Sequence, residues 1–492
     1  MKILLVYPEY PETFWSFKHA LKFISKKASL PPLGLLTVAT LLPKEWEKKL
    51  VDMTVTILND RDIMWADYIF ISAMSIQKGS AKKIITKCKK LGAKIVAGGP
   101  LFTSEYKDFK EVDYLILNEA EITLPEFLKD LKEGCPKHIY SSNQWVDIEQ
   151  TPVPLWELVD LSKYATMCVQ YSRGCPFNCE FCDVTLLFGH KMRLKLKDQI
   201  LAELESLYLR GWRGGVFIVD DNFIGNKREL KNEVLPAIIE WNEKRKHPFF
   251  FNTQASINLA DDEELMQMMV QSGFVSVFVG IETPNEKSLI ECNKLQNKNR
   301  DLIACIKKIQ KAGLIVSGGF IMGFDNDTPA IFEKIVEFIQ KSGIVSAMVG
   351  LLNAPRGTKL YQRLILENRL LKESTGNNTD FSINFIPKMN YKALIDGYKK
   401  VLHKIYSPKS YYARIQTLLR NIKPLQKKRY RFQLCYLTAF LRSIWYLGII
   451  GEERIYYWKL FFWSLFRRPQ LFPTAITYAV YGFHFRKIFK NY

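Results

Sequence analysis

Three cysteines lie close together in the segment Tyr171-Ser-Arg-Gly-Cys175-Pro-Phe-Asn-Cys179-Glu-Phe-Cys182-Asp183, with the spacing C-x-x-x-C-x-x-C. Thiolates are soft donors that select zinc or iron–sulfur clusters. Three of them within eight residues can wrap one face of a cubane cluster and leave its fourth iron without a protein ligand. Zinc is the competing reading. Structural zinc sites want four ligands, usually from paired C-x-x-C knuckles, and the sequence has no second pair. Gly174 and Pro176 suit a loop that must fold tightly around a bound group.

The loop follows a segment that reads as a strand, 166–172. Further apolar runs at 215–220, 249–256, 275–282, 315–322 and 345–352 alternate with helical patterns at 196–210, 229–246, 262–272, 299–312, 330–342 and 358–368. Six strand–helix units predict a partial barrel of the TIM type, whose functional groups sit at the C-terminal ends of the strands. Ahead of it, apolar runs at 2–7, Val55–Leu58, Tyr68–Ala73, Lys94–Ala97 and Tyr114–Leu117 alternate with helical patterns at Leu33–Leu42, Ser80–Leu91 and Leu124–Lys132. That pattern predicts a doubly wound parallel sheet. The fold class is therefore α/β, with a sheet domain over 1–135, a linker over 136–165, the barrel over 166–370 and a helical region over 371–492.

Composition places the chain among folded globular proteins: 492 residues, 48% hydrophobic and 24% charged. The net charge of +20 is concentrated at the end, where residues 401–492 hold 17 Lys/Arg against 2 Asp/Glu, and 23 of the 65 aromatics. Nine cysteines, an odd number, argue against a disulfide framework and for a reducing compartment. The N-terminus lacks a long apolar h-region and a small-residue cleavage site, so no signal peptide is read there and a cytoplasmic location is expected.

Residues 166–360 resemble a radical S-adenosylmethionine (SAM) domain. The resemblance implies that Cys175, Cys179 and Cys182 hold a 4Fe-4S cluster whose open iron binds SAM. It also implies that Phe181 contacts the adenine. Asp220, Asn222, Gln254 and Glu282 correspond to strand-end residues that hold the SAM amino acid and ribose. Gly318 and Gly319, in Ser317-Gly-Gly-Phe-Ile-Met-Gly-Phe324, correspond to the segment beneath the adenine. Residues 1–135 resemble the cobalamin-binding domain of cobalamin-dependent radical SAM enzymes. Pro31-Pro32-Leu-Gly34, the Ser72–Ser75 turn with Ser72 and Met74, Gly98-Gly99, and the turn carrying Glu119 and Glu121 match its cofactor loops, with Asn118 where that last motif usually has Gly. No D-x-H-x-x-G motif is present, so cobalamin is expected to lack a protein histidine on its lower face. Phe14 and Trp15 are candidates for aromatic bulk there, or else core residues.

Phe432–Ile450 is a 19-residue run with Arg442 as its one charge, near the length of a membrane span. The basic aromatic sequence around Arg467 and Arg468 instead favours an amphipathic region at a membrane surface over a span. Nucleic acid is the less favoured partner for such a patch. The tail, with Phe466-Arg-Arg-Pro469 and its terminal basic aromatics, resembles the C-terminal extension of the hopanoid methylase group. The resemblance implies a methyltransferase acting on an unactivated carbon of a lipid. One SAM would methylate cobalamin, a second would yield the radical that abstracts hydrogen from the substrate, and a flavodoxin or ferredoxin would supply electrons. The alternatives are radical ring formation without methyl transfer, and a non-enzymatic cobalamin or cluster sensor.

Overall fold

The computed structural model describes residues 1–424 and 434–490. The N-terminal sheet contains β1 (Lys2–Tyr7), β2 (Glu47–Asp52), β3 (Tyr68–Ser72), β4 (Lys94–Gly98), β5 (Tyr114–Ile116) and β6 (Ile139–Tyr140) in the order β2-β1-β3-β4-β5-β6. Every neighbouring pair is parallel. β1, β3 and β4 are buried almost throughout because helices cover both faces. The order reverses between β1 and β3. That switch point opens a crevice at the C-terminal strand ends, where doubly wound folds take ligands.

Two sequence expectations change here. The second strand is Glu47–Asp52, not Val55–Leu58, which lies in the turn after it. β2 is an edge strand with alternating exposure and two lysines, so it lacks the continuous apolar run of its neighbours. The stretch 136–165 is not bare linker, since Ile139–Tyr140 adds the sixth strand beside β5.

The central sheet holds β7 (Thr166–Val169), β10 (Gly215–Ile218), β11 (Phe250–Gln254), β12 (Phe274–Glu282), β13 (Ile315–Met322) and β14 (Ala347–Leu351). They pair in parallel and in strict chain order from β7 to β14, as an open six-stranded barrel requires. A two-residue ribbon, β8 (Ser172–Arg173) with β9 (Arg193–Leu194), brackets the cysteine loop.

The C-terminal region is helical: Tyr391–Tyr406, Pro408–Asn421, Leu434–Ser443, a π-helical turn over Ile444–Ile449, Arg454–Arg467 and Phe472–Phe489. Among the described residues no helix is long and apolar enough to cross a membrane. Phe432, the start of the 19-residue apolar run, lies outside the described residues. The last helix packs against the N-terminal segment Phe14–Leu21 and the helices Tyr391–Tyr406 and Pro408–Asn421. Its Phe485 stacks on Phe14 with ring centres 4.3 Å apart, and His484 Nε2 sits 3.1 Å from the Phe14 carbonyl oxygen.

Candidate active site

The three cysteines follow β8 on a loop held at several points. The Cys175 amide donates to the Gly189 carbonyl at 3.2 Å, the Glu180 amide to the Cys292 carbonyl at 2.9 Å, and the Cys182 amide to the Cys179 carbonyl at 3.2 Å. Asn293 Nδ2 donates to the Asn178 carbonyl at 2.8 Å, and Arg363 grips the Glu180 carboxylate through Nε at 2.7 Å and Nη2 at 3.1 Å. Gly174 has φ +96°, and a Cβ there would lie 2.6 Å from the Lys191 carbonyl oxygen. Only glycine permits the tight entrance to Cys175.

Burial pushes all three thiols above their usual range, while the Lys294 ammonium nearby favours their ionised forms. Burial opposes the charge on Lys294 itself, but Glu282 and Cys179 hold that ammonium above its ordinary value. Lys294 Nζ donates to Glu282 Oε1 at 2.7 Å. Glu282 ends β12 at φ +64°, beside an irregularity in the β12–β13 register. A left-handed non-glycine residue at a strand end stores strain of the kind found at functional sites.

The expected SAM-contacting residues divide. Gln254 lines the large cavity described below. Phe181 sits 6.3 Å, ring centre to ring centre, from Phe324. Asp220 is fully buried and braces the approach to the cysteine loop, accepting from the Tyr171 amide at 2.8 Å and the Ser172 hydroxyl at 2.5 Å. Burial raises its carboxyl to about 6. Burial, with Asp220 adding to it, raises neighbouring Asp221 to about 7. Asn222 Oδ1 accepts from the Ser256 amide at 3.1 Å, joining the loops after β10 and β11. A Cβ on Gly319 would lie 2.8 Å from the Phe278 ring inside the barrel, whereas one on Gly318 would meet Ile344 on the helix side. Strand alternation sends these two neighbours to opposite faces, so a side chain at 319 would intrude on the lumen and one at 318 on the helix layer.

A cavity of about 1760 Å³ separates the two sheets, well above the roughly 300–1,000 Å³ of ordinary small-molecule pockets. Ser72, Met74, Gly98, Gly99, Asn118, Glu119 and Glu121 from the N-terminal domain line it, together with Pro31, Pro32 and Gly34. It continues through the barrel lumen past Gln254, Phe278 and Ser317 to Thr166, Phe250 and Ile315 at the N-terminal strand ends. Trp15 belongs to its wall, with Nε1 donating to Met348 Sδ at 2.9 Å, whereas Phe14 is core. A Cβ on Gly99, at φ +89°, would lie 2.6 Å from Ser72 Oγ. Asn118 takes φ +62°, a conformation asparagine adopts more readily than most residues, so it can serve at a turn that otherwise suits glycine.

Glu119 and Glu121 line the cavity, yet their carboxylates are already engaged. Glu119 accepts from Arg173 Nη1 at 2.9 Å, from Arg193 Nη1 at 2.9 and 2.8 Å, and from the Val146 amide at 2.9 Å. Glu121 accepts from Arg173 Nη2 at 2.6 Å and the Thr151 hydroxyl at 3.0 Å. These acids tie the N-terminal domain to the ribbon that brackets the cysteines.

Comparison with known proteins fits this architecture. Residues 24–128 match the B12 binding domain, 169–339 the radical SAM superfamily, and 358–492 a domain of unknown function (DUF4070). An uncharacterized methyltransferase of Synechocystis sp. is 41% identical over 99% of this chain and 91% of its own length. The hopanoid C-2 methylase of Rhodopseudomonas palustris is 31% identical over 93% of this chain and 88% of its own. The chain belongs to the cobalamin-dependent radical SAM methyltransferases. Its cofactors are a 4Fe-4S cluster, SAM and cobalamin.

Two solved structures of cobalamin-dependent radical SAM enzymes share the fold. OxsB with aqua-cobalamin bound superposes with TM-score 0.66 at 16% identity, covering 99% of this chain and 79% of that one. TsrM from Kitasatospora setae, with cobalamin and a [4Fe-4S] cluster bound, gives 0.62 at 14%, covering 97% and 98%.

The residues present suit these groups. The donor set on the loop is three thiols with the Lys294 ammonium nearby, which favours their ionised forms. Ligands spread over a cubane attach to separate irons, unlike the convergent four of a zinc site. No histidine lines the cavity among the described residues. Sequence reasoning missed Lys294, Arg173 and Arg193. Arg173 stands two residues before Cys175, but nothing local signalled its distant partners. Lys294 lies far from the motif in sequence.

Proposed function

We propose that this radical SAM methyltransferase methylates an unactivated carbon of a lipid, hopanoid-like in being polycyclic or long and apolar. The observation that carries the reading is the cavity. One apolar chamber joins the cobalamin-domain loops, the barrel lumen and the C-terminal helices, leaving room for a large apolar substrate beside a cofactor. The similarity to a hopanoid C-2 methylase over 93% of the chain supports the same substrate class.

In this reading Cys175, Cys179 and Cys182 hold the cluster, with Lys294 and Glu282 beside them. Phe181, Gln254 and Asn222 would contact SAM. Ser72, Met74, Gly98 and Gly99 let the corrinoid approach the strand ends. When bound, the cluster with SAM supplies a hydrogen-abstracting radical, and cobalamin supplies the methyl group. The chain's own residues exclude water from the chamber and orient an apolar carbon between the two. No acid or base is needed at that carbon. A flavodoxin or ferredoxin supplies the electrons.

The test is mass spectrometry of lipids incubated with reconstituted enzyme and methyl-deuterated SAM, backed by lipid profiling of a deletion strain. A product carrying the labelled methyl group is expected. Loss of two hydrogens without label transfer would establish ring formation instead, and absence of SAM cleavage would leave a sensor.

A further inference from the structure

The helices Leu434–Ser443 and Arg454–Arg467, joined through Ile444–Ile449, concentrate exposed apolar side chains. Trp445, Ile449, Ile450, Ile455, Phe462 and Phe466 are each at least half exposed, Phe466 at 77%. Trp458, Phe462 and Phe466 stack in a ladder, with ring centres 5.7 and 6.4 Å apart. An apolar patch of this kind on a folded chain marks an interaction surface.

Its exposed charge is mostly basic, with Glu452 an exposed acid beside it. Arg454, Lys459 and Arg467 are exposed, while Glu453 is buried against Arg486 and Glu452 lies 3.4 Å from Lys490. Arg442 fastens the hairpin to the N-terminal domain, donating to the Lys22 and Phe23 carbonyls at 2.6 and 3.1 Å and to the Ser25 hydroxyl at 2.8 Å. The first of these helices also walls the cavity through Tyr436, Leu437 and Phe440, and the final helix does so through Phe472, Tyr478 and Tyr481. Tyr436, Leu437 and Leu441 of that first helix are also exposed on its outer side, so the outer apolar face and the inner chamber share a helix.

We propose that this hairpin seats in the head-group layer of an anionic bilayer, and that the lipid substrate passes beside Leu434–Ser443 into the chamber, reaching the barrel from the N-terminal ends of its strands. The proposal rests on the lipid reading above. Basic, aromatic amphipathic helices lie in the membrane interface, aromatic rings suit its half-wet position, and exposed basic residues are drawn to anionic head groups.

The test uses the full-length holoenzyme and floating vesicles of phosphatidylcholine with or without phosphatidylglycerol. Co-flotation should require phosphatidylglycerol and fall with salt. It should drop about tenfold or more in F462E/F466E, and also in R454E/K459E, as expected for combined apolar and ionic contact. Unchanged cobalamin content reports that the variants remain folded. Turnover of substrate lipid offered in vesicles should fall with binding in F462E/F466E, whereas turnover in detergent micelles should stay at the wild-type level. Wild-type binding that is absent, or indifferent to lipid charge and salt, overturns the proposal. So does a dimer in light scattering that the same substitutions dissociate, because the patch would then be a self-interface. Micelle turnover reads the lipid assignment separately: its absence in the wild type refutes that assignment whatever the vesicles show.

Discussion

Replacing Glu119 by Gln should loosen the N-terminal domain from the cluster-bearing ribbon. The carboxylate is 2% exposed and meets two guanidinium groups that are 10% and 13% exposed. Glutamine keeps the shape and one acceptor oxygen but removes the charge. Each carboxylate oxygen accepts two bonds, so whichever one becomes the amide NH2 faces two N–H donors; a buried group left unsatisfied costs about 1–3 kcal/mol, and more beside a charge, so the exchange should cost about 2–3 kcal/mol. Arg173 retains Glu121, whereas Arg193 keeps only the Val146 and Phe188 carbonyls and carries most of the loss. Glu119→Ala, which leaves a buried charge pair broken outright, should cost about 3–5 kcal/mol. Urea unfolding of the apoprotein, followed by tryptophan fluorescence, measures both. Trp145 is a built-in reporter, since its ring faces the Arg193 guanidinium at 5.3 Å. Hydrogen exchange across 118–121 and 172–194 locates the loss. A Glu119→Gln variant within about 0.5 kcal/mol of wild type, the scatter of ordinary surface changes, would refute the clamp.

Changing Cys175, Cys179 and Cys182 together to Ala should abolish iron binding and SAM cleavage while cobalamin still binds, as metal analysis and absorbance will show. Gly99→Ala should weaken cobalamin binding and leave iron content intact. Its Cβ meets Ser72 Oγ at 2.6 Å, a clash of the class that costs about 1–3 kcal/mol; titration of apoprotein with cobalamin measures it. Electron paramagnetic resonance of the cob(II)alamin form should show no protein nitrogen on the lower face, since no histidine lines the cavity among the described residues. Burial lowers His484 from 6.5 to about 4, so between those values the unfolded chain binds more protons than the folded one. The His484 contribution should be constant above pH 6.5 and fall by up to about 3 kcal/mol as pH drops toward 4; Asp220 and Asp221, raised to about 6 and 7, act in the opposite sense, so the contribution is read as the difference between wild type and variant. His484→Gln should flatten that slope in urea midpoints taken across the range.

Local signals were legible in the sequence, and distant pairings were not. The cysteine spacing and the barrel's apolar runs repeat over short windows, so the loop and the six-strand order could be read directly. β2 escaped because an edge strand wets one side and breaks its apolar run. Gly318 and Gly319 read as a pair, but strand alternation sends them to opposite faces. Glu119 and Glu121 matched a cofactor turn in type and position. Their carboxylates are engaged by Arg173 and Arg193, some 50 and 70 residues away, and no periodicity encodes a pairing of that range. The full burial of Phe14 beside a cavity-lining Trp15 has the same origin, because the last helix, 470 residues on, decides which ring is covered.

The chamber's walls come from three stretches of chain with different duties, and this has a consequence for redesign. The loops that match cofactor-binding motifs lie in the first two domains, whereas much of the chamber's far wall belongs to Leu434–Ser443 and Phe472–Phe489. Grafting those helices from a relative would reshape the hole while leaving the reactive machinery in place. The graft has two fixed points: Phe485 and His484, which dock on Phe14, and Arg442, which fastens the hairpin to residues 22–25. A library that holds those three positions constant and varies the chamber-facing ones would sample new guests on an unchanged engine.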